Sequence, residues 1–126
     1  MAEAITVEDL EQHFKIPKGA LDKEISSDHV REISAFLESW KLVAPHLGLS
    51  DGEIEAIEND RNTEEEKRLL MLQKWKQALV FKATYQKLIK ALLSIKRADL
   101  ASSVCQMVMT SQADNSQGKY YQTNLY

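Results

Sequence analysis

Eight carboxylates crowd the stretch from Ser50 to Glu66 (Asp51, Glu53, Glu55, Glu58, Asp60, Glu64, Glu65 and Glu66), against a single base, Arg61. From Lys67 to Arg97 the sign inverts, with nine bases (Lys67, Arg68, Lys74, Lys76, Lys82, Lys87, Lys90, Lys96 and Arg97) and no acid. Residues of these types in these blocks can do recognition chemistry. If both stretches belong to one body, that body is bipolar while its net charge is only -3, and opposite faces of two such bodies attract. Solvated helix faces whose charges cluster by chance are the plain alternative.

Bond-making chemistry has little behind it. The carboxylates of residues 53–60 have other acids as neighbours at the start of a capped, solvated helix. His13, His29 and His46 fall on separate elements. Cys105 lies one turn from Ala101 and beside Val104, the setting of a buried core thiol rather than a nucleophile. His46 stands at a helix end, where the dipole favours a cation. The chain has no Cys-x-x-Cys, His-Glu-x-x-His or glycine-rich phosphate loop, so neither a metal nor a nucleotide cofactor is expected and no catalytic residue is assigned.

The elements that must position these charges are helices. A short one opens at Thr6 with Val7, Leu10 and Phe14 on one face, and Pro17 and Gly19 end it. Leu21 to Ser27 reads as a connector. Ser27 or Asp28 is the expected cap of the next helix, with Val30, Ile33, Phe36 and Leu37 as its apolar stripe. Ser39 is the expected cap of a helix carrying Trp40, Val43, Ala44 and Leu47, bent at Pro45 and stopped by Gly48. Ser50 and Glu53 form a capping box, as do Thr63 and Glu66. The first starts a short helix with Ile54 and Ile57 inward. The second starts the longest, with Leu69, Leu72, Trp75 and Leu79. Thr84 caps a helix with Tyr85, Leu88, Ile89 and Leu92. The last begins near Ala98 and turns Leu100, Ala101, Val104 and Val108 inward. Trp40 and Trp75 each fall in an apolar stripe and read as core anchors.

The expected organisation is residues 1–25 as an N-terminal helix and connector, 26–109 as an all-α antiparallel bundle of six helices, and 110–126 as a flexible tail of Ser, Gln, Asn and Asp. That tail holds Tyr120, Tyr121 and Tyr126. Phosphate on them would add charge and acceptor oxygens, although a mobile terminus with no role is the simpler reading. No apolar run reaches the roughly 18 residues of a membrane span, and Met1 to Leu10 lacks the apolar core of a signal peptide. The lone cysteine and the absence of an Asn-x-Ser/Thr triplet make a reducing, cytoplasmic setting the expectation. The negative net charge argues against nucleic acid. A small helical nucleic-acid binder using residues 67–97 stays as the alternative.

The ordered set Trp40-Lys41-Leu42-Val43-Ala44-Pro45-His46-Leu47-Gly48-Leu49-Ser50, Glu53 to Glu58, Met71 to Trp75, Ala83-Thr84 with Leu88 and Ala91-Leu92, and Arg97 to Ala101 resembles the death domain of the death-fold superfamily. The resemblance runs over about residues 26–109. It implies a six-helix Greek-key bundle and a non-catalytic interaction module of intracellular signalling, whose partners are other death domains or copies of itself. Three features depart from the pattern: Pro45, Ile95 where a glycine is common, and the apolar link Val80-Phe81. That link is expected to cap the core, with an exposed sticky patch as the other possibility. On this reading the acidic patch is Glu53, Glu55, Glu58 and Asp60. The basic patch is Lys67, Arg68, Lys74, Lys76, Lys96 and Arg97, led by Arg68 and Arg97, whose guanidinium groups can grip carboxylates through two bonds.

Overall fold

The computed structural model describes residues 5–60 and 63–110, and the tail tyrosines lie outside that range. The regular elements are α1 (Val7–Phe14), a 3-10 turn (Ala20–Asp22), α2 (Ser27–Phe36), α3 (Trp40–His46), α4 (Asp51–Asp60), α5 (Glu64–Leu79), a second 3-10 turn (Val80–Lys82) and α6 (Tyr85–Ser94). A seventh helix, α7, covers 98–110. Among the described residues the β structure amounts to an isolated bridge between Glu24 and Thr84. The architecture is the expected all-α bundle of six helices, α2 to α7, preceded by α1.

Helix starts follow the hydroxyl side chains, because each hydroxyl oxygen satisfies a backbone N–H that the first turn cannot. Thr6 and Asp9 make a reciprocal capping box on α1, at 3.1 and 3.0 Å. Ser50 and Glu53 do the same for α4, at 3.2 and 2.8 Å, and Thr63 and Glu66 for α5, at 3.1 and 3.4 Å. Thr84 accepts from the Lys87 N–H at 3.3 Å. Two expected caps are corrected. Ser26, not Ser27 or Asp28, caps α2, accepting from the His29 N–H at 3.1 Å. Ser39 makes no cap bond, because its hydroxyl instead accepts from Arg97 Nη1 at 3.2 Å.

Some helix ends use left-handed residues. Gly48 takes φ 99°, and the Leu49 N–H returns to the Ala44 carbonyl at 3.1 Å. After α6 the left-handed residue is Lys96, at φ 62°, so the turn closes without a glycine at position 95. The Arg97 N–H then reaches the Leu92 carbonyl at 2.9 Å, as in a Schellman-type stop.

Trp40 and Trp75, each 1% exposed, sit in a core shared by Ile33, Leu37, Ile57, Leu72, Leu88, Leu92 and Val104. Helix α5 packs on α2 and α4, while α3 touches α4, α5 and α6. The segment before α2 belongs to the same core: Val7, Leu10, Leu21 and Ile25 are all buried. What the sequence presents as a connector is pinned to the start of α6. The Ile25 N–H donates to the Ala83 carbonyl at 2.8 Å, and the Tyr85 N–H to the Lys23 carbonyl at 3.3 Å.

The Val80-Phe81 link does not cap the core. Val80 is 57% and Phe81 79% exposed. Val80 has φ 57°, a conformation that costs a β-branched residue. Helix α5 stops after Leu79, and the tight turn that follows swings both side chains outward.

Candidate functional site

Helix α4 presents the acidic side. Its capping box holds the Glu53 carboxyl below the usual range, through the Ser50 backbone N–H first and the Ser50 hydroxyl second. Ile57 is its one buried residue, so the helix touches the core on a narrow stripe and leaves Glu53, Glu55 and Asp60 exposed. Glu58 is different: half-buried, it ion-pairs with Lys41 of α3 and, at 3.4 Å, with Lys67 of α5. The Lys41 hydrogen bond, opposed by partial burial, holds the Glu58 carboxyl down.

The point where the sequence changes sign is therefore an internal knot. Lys67 also pairs with Glu64 at 3.3 Å, and Glu64 accepts from the Trp40 indole N–H at 3.3 Å. Burial pulls the Lys67 pKa down, but Glu64 and Glu58 outweigh it and leave it above its ordinary value. These contacts tie α3, α4 and α5 together on one side of the bundle.

The two arginines expected to lead the basic patch are also engaged within the chain. Arg97 grips Asp99 through two bonds, Nε to Oδ1 at 3.0 Å and Nη2 to Oδ2 at 2.9 Å, and spends Nη1 on Ser39. The fork raises the Arg97 pKa and lowers that of Asp99. Arg68 Nη1 donates to the Ala35 carbonyl at 3.3 Å, near the C-terminus of α2, where a cation suits the dipole. Its Nε is buried with no partner among the described residues. Lys76 lies 4.0 Å from Glu24. Lys74 is half-buried, and its charge helps lower Glu53. Lys96 is exposed on the α6–α7 turn.

Three other bases stand outside that web. Lys82, Lys87 and Lys90 are exposed and enter no ion pair among the described residues. They surround the α5–α6 corner. They lie within the acid-free run from Lys67 to Arg97 but outside the patch expected from the sequence, which took the two ends of that run, Lys67 to Lys76 and Lys96 to Arg97.

The titratable groups of the interior serve the fold. Tyr85 accepts from the Ser26 N–H at 3.3 Å, and its hydroxyl lies 2.6 Å from Nδ1 of buried His29. With the phenolic proton given to Nδ1, the ring proton sits on Nε2, 4.0 Å from Glu32. Burial, helped slightly by Glu11, pushes the Cys105 thiol up to about 11, leaving it a protonated thiol at neutral pH. Among the described residues no group of three His, Cys, Asp or Glu side chains is placed to hold a metal ion, and no helix is long and apolar enough to cross a membrane.

A family model described as Death domain matches residues 27–108. No curated protein matches the chain.

Proposed function

Since the chain belongs to the death-domain family, whose members are protein–protein interaction modules of signalling and generally not enzymes, we propose that it is an adaptor or homotypic assembly domain. It joins other death domains, or copies of itself, in death- or inflammation-type signalling in the cytoplasm, through complementary acidic and basic faces and with no cofactor. The observation that carries this reading is the separation of exposed charge. Glu53 and Glu55 stand exposed on α4, while Lys82, Lys87, Lys90 and Lys96 stand exposed on an acid-free stretch. A contact of that kind need not close on itself, so assembly can grow.

Isolated exposed pairs contribute only about 0–1 kcal/mol each, so several must act together with apolar contacts between them. The test is light scattering over a range of concentration at low and high salt, with binding assays against purified death domains. Mass that grows with concentration and falls with salt supports homotypic assembly, and a monomer that binds a second death domain supports an adaptor. A monomer that binds none at any salt overturns the proposal.

A further inference from the structure

The corner between α5 and α6 carries features that the fold does not use. Phe81 and Val80 project into solvent at 79% and 57% exposure, and Val80 holds a strained backbone to put them there. Beside them a cleft of about 200 Å³ opens between α3, α5 and α6, with Leu79, Ala91 and Trp75 in its walls and His46, Lys87 and Lys90 at its rim. Among the described residues no carboxylate lines it. The Trp75 indole N–H, buried in the wall residue, has no hydrogen-bond partner among the described residues, so the neighbourhood is rich in donors and poor in acceptors. Leu42, 62% exposed, lies one turn before His46 on the same face of α3 and extends the apolar surface.

We propose that this corner is the docking site for the acidic helix α4 of a second copy of the chain. Phe81 supplies the apolar contact, and Lys82, Lys87 and Lys90 supply the charge. The occupant follows from complementarity. Helix α4 exposes Asp51, Glu53 and Glu55 with Ala56 among them and Ile54 half-exposed, a carboxylate-rich surface with a small apolar edge. The corner offers the inverse, an exposed aromatic next to a cleft lined by Lys87 and Lys90, where Lys82, Lys87 and Lys90 enter no ion pair among the described residues. Lys67, Arg68, Lys76 and Arg97 are committed to internal contacts, so recruiting them would break bonds already made. The three lysines of the corner bring their charge without that loss. Charged rims steer encounter while the desolvated aromatic centre holds the contact.

This inference rests on the homotypic reading above and adds where the basic half of the contact lies. The test is sedimentation velocity of the full chain at low salt, over a concentration series. The variants are Phe81→Ser, Lys87→Glu/Lys90→Glu and Asp51→Lys/Glu55→Lys. All alter exposed side chains, and thermal melts confirm that each is folded.

The wild type is expected to associate, and each variant to weaken association by at least about tenfold. Mixing the lysine-reversed with the acid-reversed variant is expected to restore a complex, since their altered faces match. Association that persists in Phe81→Ser and in Lys87→Glu/Lys90→Glu overturns the corner as the docking site while leaving homotypic assembly standing. A wild type that stays monomeric at every concentration overturns both.

Discussion

Replacing Tyr85 by Phe removes one oxygen from the interior and little else. The ring, 7% exposed, keeps its packing and its edge-on contact with His29, whose centroid is 5.5 Å away. Two hydrogen bonds go: the one from the Ser26 N–H at 3.3 Å and the one to His29 Nδ1 at 2.6 Å. The Ser26 amide stands at an exposed helix start and can turn to water, so its loss is small. Nδ1 belongs to a residue only 9% exposed, and an unsatisfied buried polar atom costs about 1–3 kcal/mol. The expected loss is about 1.5–3 kcal/mol, a fall in melting temperature on the order of 10 °C for a domain of this size. Urea unfolding followed by circular dichroism reads it, with the slope of the transition unchanged. The double variant His29→Leu/Tyr85→Phe should lose less than the sum of its singles, because it leaves no group unpaired. A Tyr85→Phe protein within about 0.5 kcal/mol of the wild type would refute the account of this link as a tie between the starts of α2 and α6.

Trp75→Ala should cost about 3–5 kcal/mol and give a molten or aggregating protein, whereas Trp75→Phe should cost far less, since the indole N–H has no partner to lose; a sharp thermal transition for the alanine variant would show that α5 is misplaced. Arg68→Glu/Arg97→Glu should lower the melting temperature, because it sets an acid against Asp99 and another against the Ala35 carbonyl. The charge pattern alone predicts no change, and calorimetry decides between the two. Glu53, Glu58 and Asp99 have lowered pKa values when folded, so the native state binds fewer protons than the unfolded chain in the acid range. Their contribution is full above the ordinary carboxylate values of about 4 and is lost as pH falls through the lowered ones. Melting temperature should therefore hold from about pH 7 to 5 and fall below about pH 4, less steeply in Glu58→Gln. Val80→Gly relieves a backbone strain of about 1–3 kcal/mol against roughly 0.5–1 kcal/mol of added chain entropy. It should raise the melting temperature by a few degrees, and a fall would mean that the valine side chain packs better than its exposure suggests.

Local pattern made much of this molecule legible. Thr6, Ser50, Thr63 and Thr84 cap helices because a hydroxyl three residues before a free N–H needs no distant partner to act. The apolar stripes around Trp40 and Trp75 mark the core because burial of a large ring follows from helical period alone, and the order of those motifs carries the family. The use of each charge is a different kind of fact. Whether Arg97 is free depends on Ser39, 58 residues away. His29 finds its hydrogen-bond partner 56 residues on, in Tyr85, and Glu58 is spent on lysines from two other helices. Val80 and Phe81 read as core in one dimension and stand in solvent because α5 stops at Leu79 and the 3-10 turn that follows turns them outward. Helix formation is governed by neighbours three and four residues apart, whereas ion pairing and exposure are governed by whichever elements packing brings together. The chain thus carries its bundle and its surplus of opposite charge in plain sequence, while tertiary contact alone decides which of those charges remain for a partner.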